Sequence, residues 1–456
     1  MNAEHKQIID SLQLKYKSSK DLMAHEFDYF GKKIILLYLE SMSDDEKIKK
    51  HIIKPLLLCE TENEFTLHLL SLPGCKKISD LNGLEKQLIG GETLIFLSQG
   101  VYSYKVTKVN NDQPLEATVE MSVLGPQKAL SEDLQTNITL LRTRYPSENL
   151  RIESSTIGTL SNTPIALLYD VEFVDKKILK ELKKKLSDIK VDMIQAVGQM
   201  ENQLTDKKYH LFPVTLNTER PDRLALNIAE GKIIILVNGT PFGLVVPAVF
   251  FDFISSMDDL SHTYWVSRLM ILLRYIGLGI TLVLPALYIV ITSYNPEIVR
   301  SQLALTIAGS RAAVPYPSYF EVVFMMIAVE MLIESSVRLP KAIGPTATTV
   351  GGLILGQAAQ QAQLVSSIMI IITAFVAISN FTIPVNAMSF AVRCARYPLI
   401  ILASFFGLVG LVAGVFLILC YLTDLRSFGR PYLKIFWGAN RKIKSISERK
   451  KKEEQG

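Results

Sequence analysis

Two kinds of hydrophobic pattern meet near residue 265. Before it, short apolar runs alternate with charged, helix-periodic stretches; after it, long uncharged runs dominate. KKIILLYLESMSDDEKIKKHIIKPLL, from Lys32, is answered by TPIALLYDVEFVDKKILKELKKKL, from Thr163. Each reads as an apolar strand ending in Leu-Leu-Tyr, an acidic turn, and a helix with apolar positions three and four apart. GGETLIFL from Gly90 is answered by EGKIIILV from Glu230, and the two runs lead to Gly100 and Gly239. Two ordered pairs predict two related α/β subdomains. The competing explanation is that any two strand–helix units share such a pattern. Between them, Gly125 and Pro126 break the chain, and a short helix is predicted from Ser131, whose hydroxyl suits a cap.

A membrane-crossing helix needs about 20 mostly apolar residues. Leu269 to Ser293 qualifies, with Arg274 near one end where its stem can snorkel. The apolar run Phe320 to Ile333 is short and carries Glu321 and Glu330. Leu364 to Ile383 and Leu399 to Leu422 are clean. The predicted organisation is a tail at 1–26, subdomains at 27–125 and 151–256 flanking a linker at 126–150, a transmembrane domain at 257–436, and a basic tail at 437–456. Spans fall at about 269–293, 319–337, 364–383 and 399–422, with a polar re-entrant or pore helix at about 345–363. The fold class is thus an α+β N-terminal region followed by an all-α multi-pass transmembrane domain.

Orientation follows from Arg426, Arg430, Lys434 and the basic run from Arg441, which place the C-terminus on the cytoplasmic side. The opening residues lack a signal-like apolar core, which keeps the N-terminal half there too and requires an even number of crossings. Arg393 and Arg396 disagree with a four-span layout, in which they would face outward. Either they lie buried against protein or the segment around residues 343–364 is parsed wrongly.

That segment, KAIGPTATTVGGLILGQAAQQAQLVSS, is too polar to face lipid throughout and too regular for a loop. On a helix, Thr346, Thr349, Leu353, Gln357, Gln360 and Leu364 fall on one face at three- and four-residue spacing, and Thr346, Thr349, Val350, Leu353, Gln357 and Gln360 become the candidate pore-lining residues. Gly352 and Gly356 form a small-xxx-small pattern for close helix approach, and Gly410 and Gly414 repeat it. A packing helix whose glutamines bond to neighbours is the alternative. Glu330, Glu334 and Arg338 lie four apart on another stripe, as vestibule charges or, for the last two, an interfacial i,i+4 pair.

Composition narrows the function without naming it. The 456 residues are 49% apolar and 20% charged, with a net charge of +5 largely from the tail, which does not describe a nucleic-acid-binding face. Mean hydropathy is +0.25. Four cysteines and six histidines show no metal-ligand spacing, no cofactor motif is present, and neither a phosphate-binding loop nor a nucleophile elbow appears. The expectation is a non-enzymatic chain.

Four strings point to a family. The run PYPSYFEVVFMMIAVEMLIESSVRLPKAIGPTATTVGGLILGQAAQQAQLVSSIMIIITAFVAISNFTIP from Pro315, TERPDRLALNIAEGKIIILVNGTPFGLVVP from Thr218, and LRSFGRPYL from Leu425 resemble the A subunits of GerA-type spore germinant receptors. EDLQTNITLLRTRYP from Glu132 does so as well. The resemblance implies a multi-pass protein of the spore inner membrane, acting with a transporter-like B subunit and a lipoprotein C subunit. It further implies a homo-oligomer, proposed to be a pentamer in the family, forming a nutrient-gated channel that releases monovalent cations. Pro345–Thr346 and Ser379–Asn380 depart from the commoner family residues. A relative, the stage V sporulation protein AF, is the alternative resemblance, and a non-conducting scaffold subunit is the alternative role.

Overall fold

The computed structural model describes residues 3–15, 21–29, 32–78, 84–106, 116–120, 122, 124–205, 210–339 and 343–434. The basic tail expected at 437–456 lies outside them. The chain divides into two compact units, one holding both sheets and the other most of the long apolar helices.

The first sheet comprises β1 (Leu22–Tyr29), β2 (Lys32–Leu39), β3 (Cys75–Ile78), β4 (Glu92–Leu97) and β5 (Gly100–Lys105). Its order is β1-β2-β4-β5-β3 and every pairing is antiparallel. The second comprises β6 (Leu150–Ile157), β7 (Thr163–Asp170), β8 (Leu216–Thr218), β9 (Ile233–Val237) and β10 (Gly243–Val246), in the order β6-β7-β9-β10-β8, again antiparallel throughout. The second order is the first shifted by five strands. The paired sequence runs occupy equivalent places, β2 with β7 and β4 with β9, so the two sheets share one topology.

Consecutive apolar residues in β2 have a physical cause: both faces of the sheet are covered. Ile35, Leu37 and Leu39 point to a core that includes Ile9, Leu12 and Leu88, while Ile34, Leu36 and Tyr38 point to one with Ile52, Leu56, Phe65 and Leu69. Ile9 and Leu12 come from the helix Ala3–Lys15, so residues expected to form a tail contribute to the first core, and β1 begins at Leu22 rather than at 27.

Between the sheets lies α1 (Leu134–Arg144). Its cap is Asp133, which accepts the Thr136 amide at 2.7 Å, and not Ser131. Ser131 is held from the side instead, donating its amide to Asn137 Oδ1 at 2.8 Å. Asp133 wins because its carboxylate reaches the third amide of the helix, the place where a cap oxygen is needed. This helix touches both sheets: the Leu134 amide donates to Asn238 Oδ1, while Arg142 donates to Asp21 Oδ2 at 2.6 Å.

The ERPDR string opens α2 (Pro221–Ala229) and clasps the linker. Glu219 accepts the amides of Val119 and Glu120. Arg220 donates to Asp222 and to the Pro126 carbonyl, and Arg223 pairs with Glu120 at 2.8 Å. All five positions of the motif thus serve folding of the linker or the start of a helix, with Pro221 at the first turn where its missing amide costs nothing.

The helical unit uses α3 (Tyr264–Ser293), α4 (Ser301–Arg311), α5 (Ser318–Arg338), α6 (Gly344–Gln361), α7 (Ser367–Phe381) and α8 (Asn386–Asp424). Its core joins Tyr288, Ile289, Val322, Met326, Ala359, Met369, Leu399 and Leu411. Among the described residues, α3 is long and apolar enough to cross a membrane, as is α8 when its two arms are counted as one helix, and α7 is apolar but 15 residues long. The helix α4 had no counterpart in the expected spans.

One span is corrected. Leu399 to Leu422 is not a single rod, because Gly407 leaves helical geometry at φ 58° and ψ −134°. The chain folds back there: a methyl on Gly410 would meet the Leu402 carbonyl, and one on Gly414 would lie 2.5 Å from Leu399 Cδ2. A residue with a side chain strongly resists that backbone, and a tight reversal needs it.

After α8, Arg426–Ser427 pairs with Arg430–Pro431 across Phe428 and Gly429, both at positive φ. This hairpin of the LRSFGRPYL string buries Tyr432, whose ring packs on Phe250 and Phe253 and whose carbonyl accepts the Phe250 amide at 3.0 Å.

Candidate functional site

The polar segment is a helix as its spacing predicts. Proline lies in the first turn of α6, where no helix bond is lost, and the helix ends where Gln363 takes φ 57° and the Leu364 amide donates to the Ala359 carbonyl at 2.9 Å. Thr346, Thr349, Val350, Leu353, Gln357 and Gln360 are all exposed in the isolated chain, Val350 by 49% and Leu353 by 60%. Leu364 lies past the helix end and is half-buried.

The side of α6 opposite the stripe is packed in part, while Ile354 next to the stripe is 60% exposed. Ala359 is buried in the unit's core. Gly351 and Gly352 seat Leu332 of α5: methyls at these glycines would sit 3.3 and 3.9 Å from the Leu332 side-chain tips. Gly356 faces Ile370 of α7, where an added methyl would lie 3.8 Å from Ile370 Cγ2. At Gly352 and Gly356 an added methyl would make only ordinary contacts, so the tighter seat on α6 is Gly351, whereas Gly410 and Gly414 pack one arm of α8 closely on the other.

Glu330 and Glu334 lie on α5, with Arg338 at its end; the Arg338 side chain lies outside the described residues. Glu334 is exposed, whereas Glu330 is 27% exposed at its side chain and is held by two guanidiniums. Arg396 donates to its Oε1, and Arg393 Nη1 approaches Oε2 at 2.9 Å. Arg393 and Arg396, the pair that disagreed with a four-span layout, are buried to 7% and 2% exposure. A buried guanidinium requires such a partner.

A second buried carboxylate escaped sequence reasoning as a site. Glu321 is fully buried, with Oε1 accepting the Ser366 amide and Oε2 accepting the Tyr288 hydroxyl at 3.2 Å; Arg311 Nε lies 3.4 Å from Oε2. Ser366 in turn caps α7 by accepting the Met369 amide at 3.2 Å. One carboxylate therefore joins α3, α4, α5 and the start of α7. The available signal was a glutamate one turn inside an otherwise apolar helix, an expensive placement without partners.

Among the described residues no group of three or more His, Cys, Asp or Glu side chains has metal-binding geometry. What the helical unit offers is an exposed stripe on α6, one carboxylate held by two guanidiniums, and one buried carboxylate paired with a single arginine. Together with a duplicated antiparallel sheet region, this defines the class: a two-part chain with a helical unit of membrane-type apolarity.

Comparison with known proteins narrows the class. The family described as Bacillus/Clostridium GerA spore germination protein matches residues 10–453, and the chain belongs to it. It is 35% identical over 408 residues to spore germination protein KA of Bacillus subtilis (strain 168), spanning 88% of this chain and 75% of that protein. It is 32% identical over 440 residues to spore germination protein B1 of the same organism, spanning 93% and 90%. Spore germination protein GerLA of Bacillus cereus is 31% identical, spanning 91% and 86%. The crystal structure of the N-terminal domain of the A subunit of the Bacillus megaterium spore germinant receptor GerK3 aligns at 25% identity, covering 53% of this chain and 94% of that one, with a TM-score of 0.40.

Proposed function

We propose that this chain is the A subunit of a nutrient-sensing germinant receptor of the spore inner membrane. In this reading it assembles as a homo-oligomer in which the exposed stripe of α6 lines a gated pathway for monovalent cations. The single observation that carries the reading is the exposure of Thr346, Thr349, Gln357 and Gln360 along one side of a helix that buries Ala359 and seats Leu332 on its other side. Amides and hydroxyls so placed meet either water or a partner, and in a ring of copies the stripe meets both.

On this reading Val350 and Leu353 form the constriction, closed by dewetting, while Gln357 and Gln360 pass partly hydrated cations without binding them tightly. A transporter-like B subunit and a lipoprotein C subunit supply the nutrient-driven change. The sheet region and basic tail face the cytoplasm.

The test is ion flux from liposomes holding the purified chain, with Val350→Ala and Gln357→Lys beside the wild type. Flux that rises with the smaller residue and falls with the added charge supports a cation path along α6. An oligomer that passes no ions in any form makes the chain a scaffold and moves conduction to a partner.

A further inference from the structure

The ion pair at Glu330 sits at one end of a mechanical connection to α6. Arg393 and Arg396, three residues apart on the first arm of α8, present both guanidiniums to one carboxylate on α5. A carboxylate held from two sides is not open to passing hydrated cations. Two residues further along α5, Leu332 rests in the saddle of Gly351 and Gly352. Those glycines directly follow Val350 and precede Leu353, the apolar pair on the exposed stripe. A shift of α5 relative to α8 is therefore delivered to α6 at these two residues, Gly351 above all, because the glycines put no side chain of their own between Leu332 and the α6 backbone.

We infer that Arg393 and Arg396 are positioning residues: by holding Glu330 they latch the α5–α6 hairpin, and release of this latch is the step that moves Val350 and Leu353. The effect on conduction rests on the reading of α6 as the ion path; the latch itself does not. Removing the carboxylate leaves two buried like charges facing each other, so the hairpin loses its tie and gains a repulsion. Exchanging the partners retains one carboxylate between two guanidiniums and restores the tie.

The experiment compares the full-length oligomer with Glu330→Gln and with the double exchange Glu330→Arg plus Arg396→Glu, by hydrogen exchange over 344–361 and by liposome leak. Glu330→Gln is expected to speed exchange in 344–361 by about tenfold or more and to raise resting leak, with both largely restored in the double exchange. Unchanged exchange in Glu330→Gln overturns the latch, and so does a double exchange that behaves like the single variant. So does a change in cation-over-anion preference with exchange unaltered, which would make Glu330 a selectivity charge. Where Glu330→Gln fails to assemble, Arg396→Lys, which retains the charge but loses the fork, takes its place: faster exchange supports the latch and none opposes it. Exchange that behaves as expected in a chain passing no ions keeps the latch and discards the channel.

Discussion

Arg142 donates to Asp21 across 121 residues of sequence, and both side chains are buried, at 0% and 5% exposure. Asp21 also accepts the amide and hydroxyl of Ser41, each at 2.9 Å. The pair thus ties α1 to the start of β1 and to the end of β2. Truncating one partner of a buried ion pair costs about 3–5 kcal/mol, because the other is left uncompensated. Arg142→Ala is therefore expected to loosen the first sheet from α1 while leaving β6–β10 intact. Hydrogen exchange should show faster exchange in 134–144 and at 21–41, and slow exchange persisting in β7 and β9.

Glu321 makes a similar argument inside the helical unit. Glu321→Ala removes the acceptor of the Ser366 amide and the counter-charge of Arg311, an expected loss of about 3–5 kcal/mol. Glu321→Gln keeps an oxygen for the amide and should lose less. Thermal unfolding of the purified chain in detergent ranks the three: wild type, then Gln, then Ala. A Glu321→Ala protein as stable as wild type would remove the cluster from the account of this unit.

The reversal in α8 depends on glycines for two separate reasons. Gly407→Ala meets a backbone with φ of 58° and the Tyr294 ring at 2.8 Å from the new methyl, whereas Gly410→Ala forces a methyl against the Leu402 carbonyl. Overpacking of this kind costs about 1–3 kcal/mol per site. Both variants are expected to lower the yield of monodisperse protein. Gly279→Ala, where an added methyl meets open space, should not. Size-exclusion profiles of the three variants check this.

Burial pushes the Cys75 thiol up to about 11, from an ordinary value near 9. The thiolate fraction of the folded chain is then smaller at any pH below that range. Iodoacetamide should label Cys75 in the folded chain about ten- to a hundredfold more slowly than in the unfolded chain at pH 8.5. The sign for stability follows: a raised folded value favours the folded chain below pH 9, and that contribution is lost as pH rises from 9 through 11. Cys75→Ala should flatten this part of the stability profile, measured by denaturant midpoints.

The sequence by itself determined the two sheet modules, because local patterning records which residues leave water. The Leu-Leu-Tyr strands and their following helices repeat in order, and the sheets they form repeat in topology. It also determined the stripe of α6, since three- and four-residue spacing is a property of the helix alone. What partners a charge is a different matter. Glu330 and Arg396 are 66 residues apart, and no local period links them; only packing α5 against α8 brings the carboxylate between two guanidiniums. The reversal at Gly407 was equally hidden. An apolar run from Leu399 to Leu422 satisfies the length of a membrane span whether it is straight or folded, and one glycine in the left-handed region decides between them. Tertiary structure settled these points because burial of a charge and a change of chain direction are paid for by contacts with residues distant in sequence, which a pattern read along the chain does not contain.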